Sequence, residues 1–299
     1  MEVLLVMEVK ELIRSGRLSE ARKQLVEEVK SSPADVGKRT LLFQVLALCG
    51  EWDKADRHLD AIVVQDASTE TGVQVYKNLI HAEKERIEVF KRTRYPSLMT
   101  KAPSYFEMYF AAWDMLLKKD IEEAQKLYDQ IEALCPPQSG TINGKTFSGF
   151  RDMDSLLSLF IEVIVHERYV WIPCESLREL SITPPKTLFD LLWSTVHITT
   201  WEGLNLNCYM PVLYPETFLH EDERVKFGRV TDWIPLGGPF YRGSGQHVFQ
   251  VGEEEMALLE IQDLIFEFSA KANDTVNDTA SDAPNNTVND TSKDKGNDK

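Results

Sequence analysis

The chain has 299 residues and a formal net charge of -15, from 48 Asp and Glu against 33 Lys and Arg. An excess of this sign repels phosphate backbones, and no basic patch offsets it, so a general nucleic-acid-binding role is excluded. With 43% apolar residues the chain can bury one large core or two smaller ones, and its length favours two domains.

The N-terminus opens on a brief apolar run, residues 1–8, without a basic leader or a small-residue cleavage site. It is too short for a signal peptide, and no later stretch is apolar enough to span a bilayer, so a cytoplasmic protein without membrane attachment is expected. Met7 is an alternative start to Met1. The cysteines, Cys49, Cys135, Cys174 and Cys208, lie far apart, with no CxxC pair and no zinc-finger spacing. They read as small buried hydrophobes in a reducing compartment.

An internal repeat follows. Gly16, Leu18, Ala21 and Leu25 return as Gly50, Trp52, Ala55 and Leu59, an offset of 34. That is the tetratricopeptide period, in which each unit is a pair of antiparallel helices. The glycine sits at a turn that needs positive φ, the alanine where two helices cross closely, and Pro33 closes the first unit. A weaker third copy, Lys119 to Tyr128, resembles Arg17 to Leu25, has Pro136 where the first has Pro33, and lacks the turn glycine. Between copies two and three, residues 73–91 predict a helix with Tyr76, Ile80, Ile87 and Phe90 as its apolar stripe. The charges over 84–94, interleaved with Glu83, Glu85 and Glu88, read as a solvated helix face.

Past a Pro-rich break, Asn143-Gly144 between β-prone segments predicts a hairpin. Asp154 is placed to cap a helix over 155–166 carrying Leu156, Leu159, Phe160, Val163 and Ile164. From 169 the texture turns to short β-prone runs over 169–172, 179–182, 195–200, 204–212, 227–234, 246–251 and 258–268, with one short helix near 186–192. Long crossover helices are missing, so the sheet is expected to be mainly antiparallel. The expected fold class is α+β: tetratricopeptide-like helical hairpins over 1–138, then a mostly β domain over 139–268. Residues 269–299 contain no Leu, Ile, Phe, Tyr or Trp and read as a disordered tail.

Catalytic and metal motifs are not found. His166-Glu167 lacks the second histidine of a zinc protease, Gly243-Ser244-Gly245 lacks the Lys-Ser/Thr of a P-loop, and Asp152-Met153-Asp154 lacks the rest of an EF-hand. The six histidines form no ligand pattern, and a Cys174–His197 pair has no local support. Trp171, Trp193, Trp201 and Trp233 fall in the β half and are expected mostly in the core. No cofactor, metal or catalytic residue is expected. On these residues alone an adaptor, a scaffold or chaperone, and an enzyme with its site in the β half all stay open.

Six fragments carry a resemblance: Gly16-Arg17-Leu18-Ser19-Glu20-Ala21, Gly140-Thr141-Ile142-Asn143-Gly144, Glu167-Arg168-Tyr169-Val170-Trp171-Ile172-Pro173, Asp190-Leu191-Leu192-Trp193, Pro211-Val212-Leu213-Tyr214-Pro215 and Gly243-Ser244-Gly245-Gln246. In this order and spacing they resemble the ImpE/SciE (TagJ) family of type VI secretion accessory proteins. One departure is visible, with Leu156 and Leu159 where the family usually has Arg and Pro. The resemblance implies a non-enzymatic adaptor that binds the small sheath subunit TssB through its N-terminal helix, in systems where the ClpV unfoldase recycles the sheath. A groove formed by stacked helix pairs suits such a helix. Aligning the two clear repeats to the usual pattern places Lys10, Ile13 and Arg14, then Thr40, Gln44 and Ala47, on the first helices facing that groove.

Overall fold

The computed structural model describes residues 9–135 and 137–268. The expected tail over 269–299, the alternative starts and Pro136 lie outside the described residues. Residues 9–14 form α1, and Gly16, at φ 78°, turns the chain into α2 (Leu18–Ser31). The second copy repeats this with α3 (Val36–Leu48), Gly50 at φ 68° and α4 (Trp52–Gln65). After α5 (Glu70–Phe90) and the short β1 (Ser97–Leu98), the third copy forms α6 (Phe106–Leu117) and α7 (Ile121–Leu134). Its turn residue, Lys119, takes φ 62°, so a lysine adopts the left-handed conformation the other copies give to glycine. Ala21, Ala55 and Ala124 are all fully buried, as close helix crossing requires.

The expected 73–91 helix is present, but its inner face differs. Tyr76 and Ile87 are half-buried, whereas Leu79, Ile80, Ala82, Glu83, Arg86, Val89 and Phe90 form the buried stripe, and Glu85 is buried beside it. The charges over 83–86 were expected in water. Glu83, Glu85 and Arg86 face the sheet instead, because they share the phase of the apolar residues at 79, 82, 89 and 90, while Lys84 stays exposed.

The Asn-Gly hairpin joins β2 (Ser139–Ile142) to β3 (Lys145–Ser148), with Asn143 and Gly144 at φ 48° and 79°. The helix expected over 155–166 is not there. A turn runs from Asp154 to Leu159, after β4 (Phe150–Asp152), and Phe160–Val165 forms β5. A continuous apolar run satisfies a helix and a central strand equally, and here Val163, Ile164 and Val165 favour the strand, buried on both faces. β6 (Arg168–Pro173) pairs with it, followed by the meander β7 (Leu177–Ile182), β8 (Trp193–Thr200) and β9 (Asn205–Pro211). The short helix near 186–192 is a single 3₁₀ turn, Phe189–Leu191. The run over 227–234 begins instead after the short α8 (Glu223–Lys226) and yields β10 (Asp232–Gly237), which pairs with β11 (Phe240–Ser244). β12 (Val248–Val251), β13 (Glu254–Ala257) and β14 (Asp263–Phe266) complete the chain of strands.

The main sheet has the order β1-β6-β5-β9-β8-β7-β14-β2-β3. Every pair in it is antiparallel except β1–β6. β14 slots between β7 and β2, so the end of this region locks its beginning. Gly140 is needed there, since a Cβ would collide with the Ile265 carbonyl.

The helical turns rest on the segment between β9 and β11. Arg229 Nη2 donates to the carbonyls of Ile13 at 2.9 Å and Arg14 at 2.7 Å. The Glu223 carboxylate accepts from the backbone N–H groups of Leu18 and Ser19 at 2.7 and 2.8 Å, giving α2 a cap its own Arg17 does not supply. The Phe218 ring covers Gly50, and Ile121 fills the space over Gly237 and Gly238. Trp113 of α6 lies parallel to Trp171 of β6, ring centres 6.0 Å apart, with Phe110 stacked on Trp171 and Phe160 tilted against it.

Two stability predictions follow from the turns. Gly50→Ala puts a methyl into the Phe218 ring at positive φ and is expected to cost roughly 2–4 kcal/mol in chemical denaturation. Lys119→Gly removes left-handed strain and is expected to leave stability equal or higher by about 1 kcal/mol in the same measurement.

Candidate functional site

The densest chemistry lies where α5 crosses the sheet. Arg86 is buried and cannot shed its proton, so it needs acceptors on every side. Its Nε donates to Glu162 Oε2 at 2.9 Å, Nη2 to Glu162 Oε1 and to the Leu213 carbonyl at 2.7 Å, and Nη1 to Glu83 Oε2 at 3.2 Å. Glu83 also accepts from Trp193 Nε1 at 2.8 Å, and Glu85 from the Tyr169 N–H at 3.1 Å. Trp171 Nε1 donates to the Tyr169 hydroxyl, which donates to Glu162, both at 2.5 Å.

The network continues through His247. Its Nδ1 is 2.7 Å from Asp152 Oδ2, and its Nε2 is 2.7 Å from Glu162 Oε1, at ion-pair distance though out of hydrogen-bond alignment. Tyr214 donates to Asp152 Oδ1 at 2.6 Å. Asp154, expected as a helix cap, closes a turn instead, accepting from Leu156 N at 2.8 Å and from Gly243 N at 3.0 Å.

Burial disfavours charge on Glu162, but Arg86 and His247 outweigh it and hold the carboxyl down at about 2. Burial likewise opposes charge on His247, yet Asp152 and Glu162 raise it to about 9. Burial and the neighbouring Asp152 push Asp154 up to about 7. Asp152, Asp154, Glu162, Arg86 and His247 are each at most 3% exposed, so no substrate reaches this cluster as it stands. Its chemistry is to join α5, β4, β5, β11 and β12 at one point.

Other groups are kept apart. Cys174 is buried and shares with Cys135 a cavity of about 240 Å³ at the end of α7, together with Tyr105, Tyr128 and Glu175. Burial raises both thiols, Cys135 to about 12, which keeps them protonated and unreactive. His197 lies on the outer face of the sheet, paired with Asn207 at 2.9 Å. Among the described residues no group of His, Cys, Asp and Glu is arranged to hold a metal ion, and no helix is long and apolar enough to cross a membrane. Trp171 and Trp193 are core residues, while Trp201 and Trp233 are half-buried.

The residues aligned to a partner groove divide. Lys10 and Arg14 are exposed, and Ile13 and Thr40 are half-buried. Gln44 and Ala47 are buried, because α3 is packed between α2 and α4 and every residue from Leu42 to Leu48 is covered. The three from α1 lie at one-turn spacing on one helix, and Arg229 holds the carbonyls of Ile13 and Arg14. The buried network was missed at the sequence level. Its available signal was the shared helical phase of Glu83 and Arg86 with the apolar residues of α5.

Tetratricopeptide-like hairpins built onto a largely antiparallel sheet, and joined to it by a sealed ionic network, define the class. A crystal structure of a Vibrio parahaemolyticus protein has this fold, with a TM-score of 0.80 at 24% identity over 88% of this chain and 98% of that one. The model of the ImpE protein family matches residues 144–265. The type VI secretion system accessory component TagJ of Pseudomonas aeruginosa is 34% identical over 263 residues, 88% of this chain and 92% of that protein. The chain therefore belongs to the ImpE family. The motifs at Tyr169, Trp171, Trp193, Tyr214 and Gly243 that carried the resemblance all sit in the buried network.

Arg86→Met strands the carboxylates of Glu83 and Glu162 and is expected to cost roughly 3–5 kcal/mol by denaturant titration. His247 is raised above its unfolded value near 6.5, so its contribution is whole below that value and is lost as pH climbs through about 9. Asp154, also raised, adds a loss as pH climbs from the ordinary carboxyl range through about 7. The thermal unfolding midpoint is thus expected to fall steadily from pH 6 to pH 10. In His247→Gln the fall above pH 7 should flatten, and an unchanged slope would remove His247 as its source.

Proposed function

We propose that this protein is a non-enzymatic accessory component of a type VI secretion system, acting in the cytoplasm as an adaptor for the small sheath subunit. The observation that carries this is kinship with the Pseudomonas aeruginosa accessory component along nearly the whole of both chains. The buried cluster supports it: its Asp, Glu, Arg and His side chains are spent on internal pairs.

The partner segment in this reading is the amphipathic N-terminal helix of the sheath subunit TssB. It lies against the start of the helical region, its apolar face on Ile13 and its acidic side chains toward Lys10 and Arg14, with Thr40 at the margin. Gln44 and Ala47, buried in α3, are not part of that surface. An apolar helix face with i, i+3, i+4 and i+7 anchors suits a shallow surface of this kind. The ClpV unfoldase is engaged indirectly, through the sheath subunit. The two regions, 1–138 and 139–268, then divide the work, the helices presenting the surface and the sheet holding them in register.

The test is co-purification from a cytosol that expresses the secretion cluster, with the full chain and with residues 269–299 removed. The small sheath subunit is expected in both preparations. The double change Lys10→Glu and Arg14→Glu is expected to weaken its capture by about tenfold or more, mostly through faster dissociation and lost steering. Absence of any sheath component in the full-chain preparation would sink the adaptor reading. Full capture by the double variant would move the binding surface elsewhere.

A further inference from the structure

The open end of the main sheet is a second place where this protein offers a surface. Among the described residues β3 pairs on one side only, with β2, in the register Ile142–Lys145, Thr141–Thr146, Gly140–Phe147 and Ser139–Ser148. The two-residue Asn143-Gly144 turn makes Ile142–Lys145 a hydrogen-bonded pair, and the alternation makes Gly140–Phe147 the next. The N–H and C=O groups of Thr146 and Ser148 therefore point away from β2, along the open edge.

That edge is not flat against water. It forms one wall of a groove of about 260 Å³ whose other wall is the β12–β13 hairpin, with Val251 and Met256 as its apolar floor and Glu253 and Glu254 at its mouth. The Ser148 carbonyl lies 3.6 Å from where a Cβ on Gly252 would sit, so the strand edge and the hairpin tip adjoin. Edge strands are often blunted by a proline or a bulge, and β3 has neither; its four residues carry a single lysine, Lys145, at the turn end. Three consecutive glutamates, Glu253, Glu254 and Glu255, stand exposed on the hairpin, without an ion pair among the described residues.

We propose that this groove receives an extended segment of another protein, with alternating apolar and cationic residues, which adds a strand to β3. Its backbone takes up the free groups of Thr146 and Ser148. Its apolar side chains settle on Val251 and Met256, and its cations meet Glu253 and Glu254. Charge selects this occupant. A second copy of a chain with net charge -15 would bring the same glutamates together, and residues 269–299 carry more Asp than Lys. The surface is distinct from the one on α1, so either can fail while the other stands.

The probe is a blocked peptide of about eight residues with alternating Lys and Val, long enough to match a strand. Added to the full chain, it is expected to slow amide exchange at Thr146 and Ser148 by about tenfold or more, with binding that weakens as salt rises. The same peptide with Glu for Lys is expected to give no slowing. Thr146→Pro removes an edge donor that β2 does not use, and is expected to keep the far-ultraviolet spectrum while abolishing binding. Glu253→Lys with Glu254→Lys is expected to weaken binding by about tenfold without touching the strand. No slowing at the two amides, or equal slowing with the Glu peptide, overturns the proposal. So does a dimer of the free protein that Thr146→Pro disperses, because the edge would then belong to a second copy.

Discussion

A guanidinium enclosed in protein stays charged, and Arg86 makes the rest of the structure answer to that fact. Its partners come from three separate places: Glu83 one turn back on α5, Glu162 on β5, and the Leu213 carbonyl just beyond β9. None alone balances the cation and fills its donors. Together they oblige the long helix to cross the sheet at one place and in one rotation. His247 extends the demand to Asp152, and through Tyr214 and Asp154 to β11 and β12. Apolar contact presses α5 and α6 onto the sheet from either side of this point, but such contact is nondirectional. Direction comes from the ion pairs.

The same arrangement accounts for the division between interior and surface. An Asp, a Glu and a His in close contact would ordinarily draw attention as catalytic groups, since shifted proton affinities gather at active sites. Here each is enclosed, and each is paired with another member of the cluster. Structural networks shift proton affinity by the same physics, and access separates the two cases.

The helical repeats were legible because their period is enforced locally. A turn with positive φ, a close crossing and a helix stop each select a residue type, and Gly16, Gly50, the three alanines and Pro33 carry the mark in one dimension. The Asn143-Gly144 hairpin was legible for the same reason. Lys119 shows the limit, since the repeat's packing holds it in a conformation that its own side chain disfavours. The run over 160–165 was not legible, because burial on both faces erases the alternation that separates a strand from a helix. Of the residues aligned to a groove, Lys10 and Arg14 lie at the surface, whereas Gln44 and Ala47 are covered by helices that a pattern within one repeat does not reveal.

By itself the sequence determined the class, helical hairpins followed by a mainly antiparallel sheet, together with the family, because turn chemistry, period and ordered motifs are properties of neighbouring residues. Only the tertiary structure decided what the charges on α5 do. Whether Glu83 and Arg86 face water depends on Glu162, more than seventy positions away along the chain, arriving on β5 to meet them. Charge pairing in the interior follows from distance in space, and no local pattern encodes it.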